Sequence, residues 1–218
     1  MIFHDIQQNT DEWDALRCGR LTNSALCKAM ANFGKAFGEP AKKYATQIAL
    51  EQITGKPCGS SYTNDAMQRG HEEEPLARME YEEQYFCTVD NGGFFEIGDI
   101  GCSPDGCVGD DGLIEIKSAE PHIHFERIRK ATFDSGYKWQ LIGNMKLTGR
   151  SWIDFISYCK DFPEGKRIYV YRLKAEDFAK EYAMIDERVS EFKTLIGVTK
   201  DIILRGNYSI IGANRNEQ

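Results

Sequence analysis

Ser103-Pro104-Asp105-Gly106, with nine residues between Asp105 and the next carboxylate, then Glu115-Ile116-Lys117: the reading of this 218-residue chain turns on that stretch. Leu113 to Lys117 has the composition of a β-strand. Strand side chains alternate, so Leu113, Glu115 and Lys117 share one face while Ile114 and Ile116 point into the core. A glutamate and a lysine set in an apolar strand are costly unless something pairs with them. Asp110-Asp111-Gly112 marks a turn that folds the preceding arm back, so Asp105 can lie beside Glu115. Two converging carboxylates and the backbone carbonyl of Ile116 make an oxygen-rich site suited to Mg²⁺. Such an ion serves phosphodiester hydrolysis by acidifying a bound water and polarising the phosphoryl oxygen, and a nearby lysine can orient the water. Taken alone, so short a string also fits an exposed turn aspartate and a Glu–Lys pair on a sheet surface. The turn, the strand and an acidic helix upstream favour the metal site.

That helix carries Gln68-Arg69-Gly70-His71-Glu72-Glu73-Glu74-Pro75. Consecutive glutamates fan around a helix, so only one can aim at a given site. Met67, Gly70 and Glu74 share a face, which leaves Glu72 and Glu73 expected in solvent. Asn64 is the expected cap of this helix, which runs to about Gln84. Before it, short helices are expected from Asp11 to Arg17 and from a Thr22 or Asn23 cap to about Met30, then a loop to Pro40 and a helix over Ala41–Thr54. After it, Asn91-Gly92 reads as the turn of a hairpin between residues 86–89 and 94–97. Short extended pieces follow over residues 100–103 and 106–108. Helices are expected over residues 122–131 and 137–147, strands over 152–158 and 167–173, and a long closing helix over residues 177–204.

This order predicts an α/β (α+β) fold: a central mixed β-sheet flanked by helices. No repeat or linker divides it, so a single domain over residues 1–218 is expected. Its parts are a helical segment to about residue 85, a sheet-containing core over about 86–175 and a C-terminal helix over about 176–206.

Composition narrows the function classes. Hydrophobic residues at 41% and charged residues at 28% exclude a disordered or collagen-like chain. No signal peptide is visible and no apolar run is long enough to cross a bilayer, so a cytoplasmic protein with no membrane partner is expected. Seven cysteines without a CxxC pair read as reduced thiols, with Cys102 and Cys107 in the core. The net charge of −7 is unevenly spread: residues 64–116 carry 14 acidic against 2 basic side chains, and residues 117–180 carry 13 basic against 8 acidic. The first could hold cations and the second a polyanion, although two solvated surfaces of opposite sign explain the same numbers.

Several motifs in order make the chain resemble a known family. They are Trp13 with Leu16-Arg17-Cys18-Gly19-Arg20-Leu21-Thr22-Asn23-Ser24, Arg69-Gly70-His71-Glu72-Glu73-Glu74, Cys102-Ser103-Pro104-Asp105-Gly106, Glu115-Ile116-Lys117 and Trp139-Gln140-Leu141. Over about residues 9–160 the chain resembles the YqaJ-type viral recombinases, the bacteriophage lambda exonuclease family of the PD-(D/E)xK nuclease superfamily. The resemblance implies a restriction-endonuclease-like core. It also implies an Mg²⁺-dependent 5′→3′ exonuclease on double-stranded DNA that starts at a 5′-phosphorylated end, releases mononucleotides and leaves a 3′ single-stranded overhang. Independence from ATP is part of that implication, and the chain has no GxxxxGK[ST] stretch. The family further implies two Mg²⁺ ions per site, replaceable by Mn²⁺, a homotrimeric ring around the DNA and a single-strand annealing protein as partner.

Carried over residue by residue, Asp105, Glu115 and the Ile116 carbonyl would bind metal, Glu74 would serve the second metal position, Lys117 the water, and Gln140 would stand near that water. Arg17, Ser24 and Ser103 match residues that grip the 5′-phosphate, for which an arginine fork and hydroxyls are well suited. Met67 matches an apolar residue that splits the terminal base pairs, and Lys35, beside Gly34, lies in the loop that would enter the DNA groove. The family pattern has an arginine shortly after the catalytic lysine; here His122, His124 or Arg127 stands in its place. His122 and His124 lack a third ligand at useful spacing, so zinc is set aside. Two other readings keep part of this picture: an endonuclease of the same superfamily, and a DNA-binding protein without catalysis. An end pocket speaks against the first, and the complete Asp105, Glu115 and Lys117 set against the second.

Overall fold

Strand β6 (Gly112–Ser118) is the hub of the molecule. It pairs antiparallel with β5 (Gly106–Val108) and parallel with β7 (Trp152–Tyr158), and β8 (Ile168–Lys174) adds antiparallel to β7. The computed structural model describes residues 1–58 and 65–206; the expected cap Asn64 lies outside them. Both faces of β6 are covered, as a parallel pairing demands. Leu113 packs with Leu141, Met145 and Phe155, while Ile114 and Ile116 pack with Ala77, Tyr81 and Ile156. Those partners bring in helix α6 (Lys138–Thr148) on one side and helix α4 (Asp65–Tyr85) on the other. Parallel β6 and β7 need a long crossover, which α5 (Pro121–Lys130) and α6 supply.

A second four-stranded mixed sheet, in the order β1-β3-β4-β2, stands beside the first. Its strands are β1 (Ile2–His4), β2 (Leu21–Thr22), β3 (Phe94–Ile97) and β4 (Ile100–Cys102). The hairpin here is β3–β4, and its tight turn is Gly98-Asp99 rather than Asn91-Gly92. Residues 86–89 form no strand; Phe86 is 95% exposed, and Asp90 makes only an isolated bridge to Cys107. The physical reason is visible at Gly92: a Cβ there would stand 1.8 Å from the Pro104 carbonyl oxygen. The Asn-Gly pair serves a close backbone approach, and Asn91 spends its amide on Asp5 and the Ile6 carbonyl.

Helices α1 (Asp11–Arg17), α2 (Leu26–Met30), α3 (Glu39–Thr54) and α7 (Ala179–Arg205) complete the chain. The third starts two residues before the expected Ala41, because Pro40 suits the first turn, where its missing N–H is no loss. Helices α2, α3 and α7 share one core around Tyr44, Ile48, Val189 and Phe192. Arg188 of α7 is 2% exposed. It donates to the carbonyl oxygens of Ala29, Ala31, Asn32 and Lys35, pairs with Glu191 and stacks on Phe37. The loop between α2 and α3 is thereby held from inside. Among the described residues no helix is long and apolar enough to cross a membrane.

Candidate active site

The β5–β6 register pairs Gly106 with Ile114, so one further step sets Asp105 opposite Glu115. Asp105 N donates to the Ile114 carbonyl at 3.1 Å, and Ile116 N donates to Asp105 Oδ2 at 2.6 Å. Alternation along β6 then turns the Ile116 carbonyl toward the same edge. Glu115 is 1% exposed, and each of its oxygens accepts at least one hydrogen bond. Its Oε1 accepts from Lys117 Nζ at 2.5 Å and from Gln140 Nε2 at 2.6 Å, and its Oε2 accepts from Asn144 Nδ2 at 3.0 Å. Gln140 and Asn144 are one turn apart on α6, so one helix face delivers both amides. Lys117 Nζ also lies 5.2 Å from the centre of the Tyr137 ring.

Glu74 arrives from α4, and Arg78, one turn on, lies 3.5 Å from it and donates to the Asp105 carbonyl. Gln8 donates to the neighbouring Pro104 carbonyl at 2.9 Å, so the aspartate turn is pinned from two sides. Glu74, Asp105, Ile116, Lys117, Met67 and Tyr137 line a cavity of about 410 Å³. Met67 is 47% exposed.

The electrostatics follow from burial and crowding. Burial pushes Glu115 up to about 8, with Asp105 and Glu74 adding repulsion against the pull of Lys117. Burial and then Asp105 push Glu74 up to about 7. Burial opposes the charge on Lys117, but Glu115 and Asp105 outweigh it and hold the ammonium above the ordinary lysine range. Carboxylates held together this way are suited to a hard cation. Among the described residues no group of three or more His, Cys, Asp or Glu side chains forms a ready metal cage. The donor set that fits is Asp105, whose Oδ1 accepts no hydrogen bond from the described residues, with Glu115, the Ile116 carbonyl and water. Mg²⁺ commonly takes one or two carboxylates and keeps several waters.

Arg17 and Ser24 line a second cavity of about 480 Å³ together with Thr22, Lys28 and Tyr44. The Arg17 guanidinium stacks on Trp13, 3.8 Å from the ring centre, and donates no hydrogen bond among the described residues. Burial draws it below the ordinary guanidinium range. Trp13 Nε1 donates to Ser103 Oγ at 2.8 Å, so the indole joins Arg17 to the segment leading into Asp105.

Other expected site residues fall elsewhere. Lys35 is exposed on the loop that Arg188 holds. His122 is exposed at the start of α5, 3.6 Å from Glu120. His124 is buried, with one ring nitrogen 2.9 Å from Ser157 Oγ and the other 3.3 Å from the Lys166 carbonyl. No face of it is left for a phosphate. Arg127 is 8% exposed and donates to Ser157 and Asp134. Glu73, expected in solvent, is 4% exposed; it accepts from Ser118 Oγ and lies 3.3 Å from Lys160 Nζ. It fastens α4 to the end of β6, and so sets the height at which Glu74 meets the cavity. Sequence reasoning passed over Asn23, Asn144, Arg78, Gln8 and the tie through Trp13. The Asn144 spacing from Gln140 was the one local signal available.

A family model for the YqaJ-like viral recombinase domain matches residues 12–151. Among solved structures, an alkaline exonuclease (LHK-Exo) from Laribacter hongkongensis is 31% identical, with a TM-score of 0.79 over 92% of this chain and 100% of that one. The same enzyme in complex with dAMP gives 0.75 at 31% identity, over 88% and 97%. A phage related exonuclease from Haemophilus somnus 129PT shares the fold at 17% identity and a TM-score of 0.67, over 88% and 98%. No curated protein sequence matches the chain. The match over more than half of the length, and the structural likeness at 31% identity across nearly the whole chain, place it in one group: the chain belongs to the YqaJ-like viral recombinase domain family.

Proposed function

We propose that this nuclease of the phage-recombinase type is an Mg²⁺-dependent, ATP-independent 5′→3′ exonuclease on double-stranded DNA. It starts at 5′-phosphorylated ends, releases mononucleotides and leaves a 3′ single-stranded overhang for strand annealing. The observation that carries this reading is the pairing of two cavities. One is lined by Asp105, Glu74 and Lys117, the last hydrogen-bonded to buried Glu115, and the other holds an arginine without a hydrogen-bond partner among the described residues, set beside hydroxyls. An enzyme that cuts inside a duplex has no use for an end pocket. LHK-Exo binds dAMP, a mononucleotide of the kind released here.

In this mechanism Arg17 takes the terminal phosphate by its guanidinium fork, with Ser24 and Ser103 supplying hydroxyls. Asp105, Glu115 and the Ile116 carbonyl, with Glu74 at a second position, would hold divalent metal, which would supply an acidified water and polarise the phosphoryl oxygen. Lys117, kept charged by Glu115, acts as a donor that orients the attacking water and offsets charge on the phosphoryl oxygens. Gln140 fixes one Glu115 oxygen and stands within reach of the same water. Met67 wedges against the terminal base pair, and Lys35 reaches the groove. Of the candidates for the cation missing after Lys117, His122 is the exposed one and takes that role. The proposal includes Mn²⁺ as a substitute ion, a homotrimeric ring, a single-strand annealing partner and work in the cytoplasm of a host cell.

One experiment tests the core. Linear duplexes labelled separately at each end, with and without a 5′-phosphate, are incubated with Mg²⁺ or EDTA beside closed circles. Loss of label from 5′-phosphorylated ends, only with metal and not from circles, is the expected result. Cleavage of circles would replace the exonuclease by an endonuclease, and loss from 3′ ends would reverse the polarity.

A further inference from the structure

Two asparagines that line neither cavity connect them. Asn144 is 1% exposed, donates to Glu115 Oε2 at 3.0 Å, and accepts at its own Oδ1 from Asn23 Nδ2 at 2.7 Å. Asn23 is 2% exposed, and its Nδ2 donates as well to the Gln140 carbonyl at 2.6 Å. On either side of Asn23 stand Thr22 and Ser24, which both line the Arg17 cavity and whose hydroxyl oxygens are 3.5 Å apart. Thr22 is fixed in turn by Tyr44, whose hydroxyl takes its backbone N–H at 3.0 Å. The backbone that joins Thr22 and Ser24 to Asn23, followed by two side-chain hydrogen bonds, thus links the wall of the phosphate pocket to the second oxygen of Glu115.

Asn23 also carries an expense. Its Oδ1 is buried without a hydrogen-bond partner. It presses on Gly143, where a Cβ would stand 2.0 Å away. Two acceptors facing Nδ2 fix which way the amide points, so exchanging its ends would set oxygen against oxygen. An unpaired buried carbonyl calls for an explanation beyond packing, since an apolar side chain would fill the space without that penalty. The explanation offered by the geometry is that the amide nitrogen holds two parts of α6 at once.

We infer that Asn23 and Asn144 form a positioning relay that couples occupancy of the Arg17–Ser24 pocket to the orientation of Glu115. The inference rests on the exonuclease reading above. A terminal phosphate drawn to Ser24 and Arg17 steadies the turn that carries Asn23; Asn23 steadies Asn144, and Asn144 holds Glu115 Oε2 in the position that gathers metal. The 5′-phosphate then raises the rate of the chemical step rather than only the occupancy of the site. Binding energy from a remote group is realised at the reacting centre, so the preference for phosphorylated ends resides in kcat.

The test compares kcat and KM on 5′-phosphate and 5′-hydroxyl duplexes for the full-length protein and for Asn23→Ala and Asn23→Ser, the second keeping a donor where the first removes it. In the unsubstituted enzyme kcat is higher on phosphorylated ends. In Asn23→Ala that kcat falls between about 10- and 100-fold, the range for lost outer partners of a metal ligand, while KM on the phosphorylated duplex stays within about twofold. Asn23→Ser falls between the two. Since Asn23→Ala could fail to fold, a second measurement uses the unsubstituted protein. Its Asn144 side-chain amide resonances are followed by NMR with each oligonucleotide, with Ca²⁺ in place of Mg²⁺. A shift with the phosphorylated strand and not with the hydroxyl strand supports the relay.

Equal shifts, or an Asn23 variant that keeps the end preference in kcat, overturn it. A preference expressed wholly in KM overturns the relay and leaves the pocket and the exonuclease standing. An enzyme indifferent to the terminal phosphate overturns relay and pocket together.

Discussion

Tyr81→Phe removes a single oxygen from the middle of the fold, and its consequence can be worked through. Tyr81 is 1% exposed on α4, and its hydroxyl donates to Asp154 Oδ2 at 2.7 Å. Asp154, also 1% exposed, accepts from Arg172 Nε and Nη2, both at 2.7 Å. A hydrogen bond to a buried charged group is worth roughly 1.5–3 kcal/mol. The bidentate arginine stays, so Asp154 is not abandoned and the loss remains below the 3–5 kcal/mol or so of a broken buried pair. About 2 kcal/mol is expected, which in a domain of this size lowers Tm by roughly 4–8 °C.

The sign with pH is also fixed. Burial raises the Tyr81 hydroxyl above its ordinary value, and the bond to Asp154 adds to this. The unfolded chain therefore ionises first, and stability from this group declines only as pH rises past about 10. Urea melts at pH 6, 7.5 and 9 should show one constant deficit. Tyr81 lies two turns from Glu74 on the same helix, so the Mg²⁺ needed for half-maximal digestion should rise, by up to about tenfold. A deficit below about 0.5 kcal/mol, the size of an ordinary surface change, would refute the argument that this bond ties α4 to the sheet.

Lys117→Ala should lower kcat on the order of 10²–10³-fold while duplex binding in Ca²⁺ persists; turnover near that of the unsubstituted enzyme would remove Lys117 from the chemistry. Arg17→Ala should equalise digestion of phosphorylated and hydroxyl ends, read from their two kcat/KM values, and an intact preference would take Arg17 out of the pocket. His124→Ala should cost about 1–3 kcal/mol in urea melts and leave DNA affinity in a filter-binding assay unchanged. Burial holds the His124 imidazole below its ordinary value. The unfolded chain thus takes up the proton first, and the His124 contribution to stability is full above about pH 6.5 and declines as pH falls below it. A His124→Ala protein whose melts keep the same slope between pH 7.5 and 5.5 would contradict that assignment.

What was legible in the sequence was local or strongly patterned. The apolar alternation around Glu115 gave β6 its place, and the Asp110-Asp111-Gly112 turn gave the register that sets Asp105 opposite it. Strands β1 and β2 were not legible, because three and two residues carry no period and their partners lie far along the chain. Asn91-Gly92 misled because the same glycine that suits a hairpin also suits a carbonyl pressed against the backbone. Glu73 and His124 were misread for a common reason. A polar side chain is buried when tertiary partners wait for it, and Ser118, Lys160, Ser157 and Lys166 come from other elements. In the sequence Asn23 reads only as a possible helix cap and Asn144 shows only its spacing from Gln140, because the partners that define their amides come from other elements.

The loop between α2 and α3 has a further consequence for how the molecule comes into being. Its carbonyls are gathered by Arg188, about 150 positions downstream. Synthesis proceeds from the N-terminus, so this early segment gains these bonds only after α7 has left the ribosome. A prematurely stopped product ending before α7 would carry every carboxylate of the cavity and yet present that loop without its keystone.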